Sequence, residues 1–295
     1  MIKSLHAKDF KAVPYLETST LMQSYPDGLV FSTDKPNIIV GSNGSGKSAL
    51  LKSLALLTLS NQTGQSALDS EYLDDSTDST RWGNYTRVHD ESGIWEYVSK
   101  FLPGLTVDYD DAPAFYYHPA HLPGNDSSIA AAMMCGYFDE AKEYGTVTKG
   151  KSSGQKAQLL FERVLRVLNG SETVPDYIFQ NWDYNPKVPY EQDDLWKDYS
   201  FLRGKKTQVN AMLARLQHAK DVVPMLIMDE PEQSLDAVAQ ARLWRAISGV
   251  DCSKTQVIVA THSLYPLMKP ERFNLIETEP SYAAKVKASL ADIFQ

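Results

Sequence analysis

PNIIVGSNGSGKSALLKSLALL, residues 36–57, passes from a short apolar run through a glycine-rich turn into a segment with helical apolar spacing. The turn, Gly41 to Ser48, fits G-x-x-x-x-G-K-[ST] without a mismatch. Glycines let successive backbone N–H groups converge on an anion, and the helix that follows adds the positive end of its dipole. The pattern predicts a phosphate cradle made by Asn43, Gly44, Ser45, Gly46, Lys47, Ser48 and Ala49. Lys47 reaches the β- and γ-phosphates in this reading, and the Ser48 hydroxyl ligates Mg²⁺.

Two more apolar runs follow the same logic. VPMLIMDEPEQSLD (223–236) is a continuous apolar strand ending in Asp229 and Glu230. A strand buried on both faces belongs to a parallel sheet, and acids at its carboxyl end fall at the ligand crevice. There Asp229 can hold Mg²⁺ and Glu230 can polarise a water for attack on the γ-phosphate. TQVIVATHS (255–263) ends in His262, a candidate γ-phosphate sensor. A histidine at a strand end is also an ordinary structural residue.

With 295 residues, the chain can form one large α/β domain or two small ones. No run nears the ~18–20 apolar residues of a membrane span, and MIKSLHAKDF lacks a signal-peptide core, so a cytoplasmic location without membrane partners is expected. Cys135 and Cys252 are far apart in sequence and suggest neither a disulfide framework nor a zinc knuckle. A net charge of −8 argues against a broad nucleic-acid coat. Local clusters at Lys149, Lys151 and Lys156 and at Arg203, Lys205 and Lys206 keep DNA contact open, beside the simpler reading of a solvated face.

The order of Gly41–Ser48, KSSGQK (151–156), LIMDEP (226–231), SLD (234–236) and ATHS (260–263) resembles the ATP-binding cassette ATPases. Ser152, Ser153, Gly154 and Gln155 resemble that family's signature, with Lys151 for Leu and Ser153 for Gly. The serines are also good helix caps. The resemblance implies a P-loop α/β fold with a mostly parallel core sheet, an antiparallel β edge and a helical signature lobe. It implies ATP and Mg²⁺ as cofactors and a head-to-tail homodimer around ATP. In that dimer Ser152–Gln155 of one chain face the nucleotide on the other, Asp236 links the two sites, Glu230 is the catalytic base, and Lys47 and His262 assist it. The family usually carries a glutamine in a loop after the first helix region; none stands between Ser66 and Ser153, and His118, His121 or Asn125 could substitute for it. His118 and His121 also form an H-x-x-H pair, but no third metal ligand is evident.

Asp9-Phe10-Lys11 and Asp229-Glu230-Pro231-Glu232 are similar to the soluble SMC/RecF/OLD-like branch. Roughly 100 residues without sustained heptads separate Ser48 from Lys151, so no coiled-coil arm is expected. DYDDAP (108–113) reads as a solvated acidic loop, and no nuclease domain is expected after His262. The nucleotide-binding core is assigned to 1–70 and 223–295 of a single 1–295 domain, with an insertion at 71–150 and the signature lobe at 151–222. Within that lobe residues 169–208 carry Trp182, Tyr184, Tyr190, Trp196, Tyr199 and Phe201, which either pack the insert or dock an effector protein. The expected role is an ATP-driven switch acting on an effector or a nucleic-acid-processing partner. A transporter motor and a non-hydrolysing scaffold are the alternatives.

Overall fold

A computed structural model describes residues 1–8, 14–58, 61–62, 105–110, 112, 114–119, 150–172, 222–233 and 235–293. The strands are β1 (Ile2–Ala7), β2 (Gly28–Val30), β3 (Asn37–Val40), β4 (Asn61–Gln62), β5 (Leu105–Tyr109), β6 (Ala114–Tyr117), β7 (Met225–Asp229), β8 (Gln256–Thr261) and β9 (Asn274–Glu277). The helices are α1 (Pro14–Glu17), α2 (Thr20–Ser24), α3 (Lys47–Leu57), α4 (Ser153–Leu168), α5 (Ala237–Ser248), α6 (Tyr265–Met268) and α7 (Tyr282–Ile293).

The chain is an α/β protein. Six strands form a parallel sheet in the order β4-β6-β7-β8-β3-β9, and three form an antiparallel sheet in the order β2-β1-β5. Every residue of β3, β6, β7 and β8 is buried, which accounts for their unbroken apolar runs in sequence. Alternate side chains serve two cores. Ile39, Tyr116, Ile227 and Ile258 pack with Leu50, Leu51 and Leu54 of α3 and with the antiparallel sheet. Ile38, Phe115, Leu226 and Val259 pack on the opposite face with Phe161 and Val164 of α4 and with Leu243 and Trp244 of α5. Tyr282, Ala283 and Val286 bring the expected C-terminal helix α7 against this second core.

One buried amide joins the sheets. Gln256, at the start of β8, accepts from the Ile2 N–H at 2.7 Å and donates to the Ile2 carbonyl at 2.7 Å. On the other face, Glu162 of α4 takes both guanidinium nitrogens of Arg242 of α5 at 3.1 Å each, and Arg242 lies 5.8 Å from the centre of the Phe161 ring.

The boundary of the insertion requires correction. Residues 105–109 pair with β1 along its length, and residues 114–117 lie between β4 and β7. Both strands belong to the sheets, although sequence placed them within an insertion at 71–150. For the same reason the antiparallel edge is not drawn from residues 1–70 alone. Tyr109 and its neighbours include DYDDAP: Asp108 sits in β5, and Asp110 pairs with the Met1 ammonium. The aromatic insert beyond Glu172, His121, Asn125, Asp9–Lys11, Cys135, Lys149 and the 203–206 cluster lie outside the described residues. Among the described residues no helix is long and apolar enough to cross a membrane, and no cluster of three His, Cys, Asp or Glu side chains could hold a metal ion.

Candidate functional site

Four neighbouring strands, β6-β7-β8-β3, deliver their carboxyl ends to one edge of the sheet. From β3 the chain enters Gly41–Gly46 and then α3, which begins at Lys47. Gly44 and Gly46 take φ of 72° and 101°, the left-handed region that glycine enters without steric penalty. A methyl group on Gly46 would sit 2.6 Å from the Ser19 side chain, so that position admits nothing larger. The N–H of Leu21 in α2 donates to the Ser45 carbonyl at 3.1 Å and braces the same loop from outside. Beside Gly44 the space is open, as a concave anion seat requires.

Lys47 is buried, 4% exposed, and its ammonium donates to the Gly41 and Ser42 carbonyls at 3.0 and 2.8 Å. Burial lowers its pKa, and Glu230, Asp229 and Glu232 counter that by attraction. The Ser45 hydroxyl is buried and has no hydrogen-bond partner among the described residues.

At the end of β7, Asp229 accepts from the Ser48 hydroxyl at 3.0 Å and from the Tyr116 phenol at 3.1 Å. Burial pushes its carboxyl up to about 6, with the Glu230 charge adding to the rise and the two donors opposing it. A hydroxyl and a carboxylate facing each other at this distance are the hard oxygen donors that Mg²⁺ takes, usually with several waters retained. The residues present therefore fit a triphosphate with Mg²⁺: open space at the loop, a buried cation, an orphan hydroxyl and an oxygen pair.

Glu230 has φ 46°, in the left-handed region, although it is neither glycine nor asparagine and precedes proline. Its backbone is held at both sides: its N–H donates to the Ala260 carbonyl, and its carbonyl accepts from the Gln233 N–H, each at 2.9 Å. Strain of this kind, about 1–3 kcal/mol, persists where surrounding structure fixes it. The turn presents the Glu230 carboxylate 3.5 Å from Nε2 of His262, which leaves the end of β8. Burial and the Lys47 charge lower the His262 pKa, against the pull of Glu230. At neutral pH the imidazole is therefore mostly uncharged.

Lys47, Ser48, Asp229, Glu230 and His262 are thus brought together. Ser152, Gly154, Gln155 and Asp236 are exposed and open two other helices. Ser152 and Gln155 close a capping box on α4: Ser152 Oγ accepts from the Gln155 N–H, and Gln155 Oε1 accepts from the Ser152 N–H. Asp236 caps α5 by accepting from the Val238 and Ala239 N–H groups at 2.9 and 2.8 Å. Tyr116 and Glu232 have site contacts that sequence reasoning did not assign to them. Tyr116 lies in the span that the sequence assigns to an insertion, and Glu232 stands out in sequence only as part of Asp229–Glu232. His118 follows β6 beside β7, near enough to Glu230 and Lys52 for their charges to act on it, and burial lowers its pKa.

Residues 206–267 match the family model described as "AAA domain, putative AbiEii toxin, Type IV TA system", a segment well short of half the chain. It contains β7, α5 and β8. Two solved structures of the cassette MJ0796 are similar to the chain. One, described as a dimeric post-hydrolysis state of the ATP-binding cassette bound to ADP and Pi, is 15% identical, with 90% of this chain and 89% of that one covered and a TM-score of 0.33. The other, described as the dimeric structure of a bacterial ABC transporter cassette, is 14% identical over the same shares, with a TM-score of 0.32. No curated protein matches the chain.

Proposed function

We propose that this chain is a Mg²⁺-dependent ATPase that works as a switch, closing head-to-tail as a homodimer around ATP and acting on a partner protein. The observation that carries the reading is the meeting of Lys47, Ser48, Asp229, Glu230 and His262 at adjacent strand ends. Lys47 leaves the Gly41 and Ser42 carbonyls to neutralise phosphate oxygens. Ser48 and Asp229 would hold Mg²⁺, which would supply charge neutralisation at the phosphates. Glu230 accepts the proton of the attacking water, and the uncharged His262 ring fixes that water and the γ-phosphate through hydrogen bonds. Ser152, Gly154, Gln155 and Asp236, exposed at helix N-termini, would with Ser153 face the nucleotide and the second copy across the dimer.

The SMC/RecF/OLD-like branch is part of the same proposal, supported by Asp9-Phe10-Lys11 and Asp229–Glu232; a role in DNA maintenance or phage defence follows by analogy with small arm-less cassettes, and a cytoplasmic location goes with it. Purified protein should release phosphate from ATP with Mg²⁺ and stop in EDTA, and Lys47→Ala should abolish release by weakening nucleotide binding at least ~10-fold. Phosphate release that persists in Lys47→Ala rejects the site.

The partner is assigned to the aromatic insert at 169–208. The start of this insert is pinned to α4, where Glu172 pairs with Arg163 and, at 2.8 Å, Arg166. Alanine at Trp182 and Trp196 should remove the partner in pulldowns from the native host while ATP binding survives. Unchanged pulldown would transfer the role elsewhere.

A further inference from the structure

Glu232 stands two residues past the strained Glu230 and is 9% exposed. Its Oε1 accepts from the hydroxyl of Thr261 and from the backbone N–H of His262, the latter at 3.2 Å. The Thr261 hydroxyl in turn accepts from the Ser263 N–H at 2.8 Å. The Ser263 hydroxyl accepts from the Tyr265 N–H at 3.3 Å, at the start of α6. A single carboxylate oxygen therefore ties together Thr261, His262 and Ser263 as they leave β8. On the β7 side its own carbonyl accepts from the Leu235 N–H at 3.1 Å, which fixes the turn that carries it. The other oxygen, Oε2, is buried and has no hydrogen-bond partner among the described residues.

We infer that Glu232 is the positioning residue for His262: it fixes the backbone from which the imidazole reaches Glu230. This rests on the reading of His262 and Glu230 as parts of the hydrolytic site. The His262 ring lies 3.5 Å from Glu230, and each residue stands one position past the end of its strand. A backbone rotation at either residue would swing the ring away. The two strand ends are joined by Glu230 N–H to Ala260 on one side and by Glu232 to Thr261 and His262 on the other. The demand on Glu232 is for an acceptor oxygen at Oε1. Oε2 has no hydrogen-bond partner among the described residues, and the Glu232 charge acts on Lys47 through space, so the inference assigns the positioning of His262 to the acceptor and not to the charge.

Two variants separate these features. Glu232→Gln keeps the acceptor and removes the charge, whereas Glu232→Ala removes both. The first readout needs no nucleotide. Protein carrying ¹³C-labelled histidine is compared by NMR, with His262 assigned from the peak that disappears in His262→Ala. The His262 peak is expected to move in Glu232→Ala and in Thr261→Val, a milder variant that keeps the fold if the alanine does not, and to stay in place in Glu232→Gln. The second readout is kinetic. Glu232→Ala should lower kcat ~10- to 100-fold with little change in KM for ATP, and adding His262→Ala should lower it no further.

An unmoved His262 peak in both Glu232→Ala and Thr261→Val overturns the inference. So does a Glu232→Gln variant as damaged as the alanine, which would make the charge itself the working feature. If the wild-type chain does not hydrolyse ATP, the functional reading fails while the NMR result still decides the positioning.

Discussion

Glu230→Gln should lower ATP hydrolysis by ~10²- to 10⁴-fold, the range for loss of a positioned general base, while ATP affinity stays close to wild type. Glutamine keeps the size of the side chain and its ability to hydrogen-bond water but cannot take the proton. The backbone should accommodate it, since the left-handed turn is set by the Ala260 and Gln233 hydrogen bonds and not by the carboxylate. Lys47, Ser48 and Asp229 remain to hold phosphate and metal. With Mg-ATP the variant should therefore accumulate in the closed dimer and elute earlier than the nucleotide-free protein in sizing chromatography. A variant that hydrolyses at the wild-type rate would remove Glu230 as the base. One that binds ATP yet stays monomeric would remove the head-to-tail dimer.

Asp229→Asn should have opposite effects on the empty and the loaded protein. Asp229 is buried, and its pKa in the fold is about 6 against an ordinary 3.8. A carboxyl raised on folding favours the folded state below its unfolded value and withdraws that support as pH rises through the folded value. At pH 7.5 the wild-type protein carries the full cost of a buried charge, about 3 kcal/mol for an elevation of this size. The amide avoids that cost. Its oxygen can accept from Ser48, and the Tyr116 phenol can turn to accept from its nitrogen. The nucleotide-free variant should therefore be about 1–3 kcal/mol more stable than wild type in urea at about pH 7.5. That advantage should shrink to near nothing at about pH 4. Mg-ATP should stabilise the wild type and leave the variant's urea midpoint almost unchanged. Equal stability of the two empty proteins at both pH values would mean that the Asp229 charge is not held at a cost.

Much of the site could be read from the chain because its parts follow fully buried strands. IIV, MLIM and VIVA are apolar without interruption within NIIV, MLIMD and QVIVAT, so sheet position and the residues that follow each run are visible together. Strand β6 was harder. Its four residues, AFYY, are too short for periodicity to separate strand from helix, and they stand between stretches of polar sequence. The Tyr116–Asp229 bond was hidden with it, since it joins residues 113 positions apart. Strand β5 was obscured differently. Its end runs into DYDDAP, whose acidic residues suggest a loop, and only pairing with β1 gives it a strand's place. Glu232 left no periodic signal, because its role lies in two contacts to the end of another strand. Ser152 was legible both as a cap and as a signature residue; the capping box accounts for the first reading and leaves the second to the dimer experiment.

The two-pronged grip of Glu162 on Arg242 makes one lever of two helices. Ser152 stands at the tip of one and Asp236 at the tip of the other, so this exposed ion pair is a side-chain link between two helices that each present a capping residue. In the proposed dimer, a nucleotide meeting Ser152 would pull on Asp236 through that link.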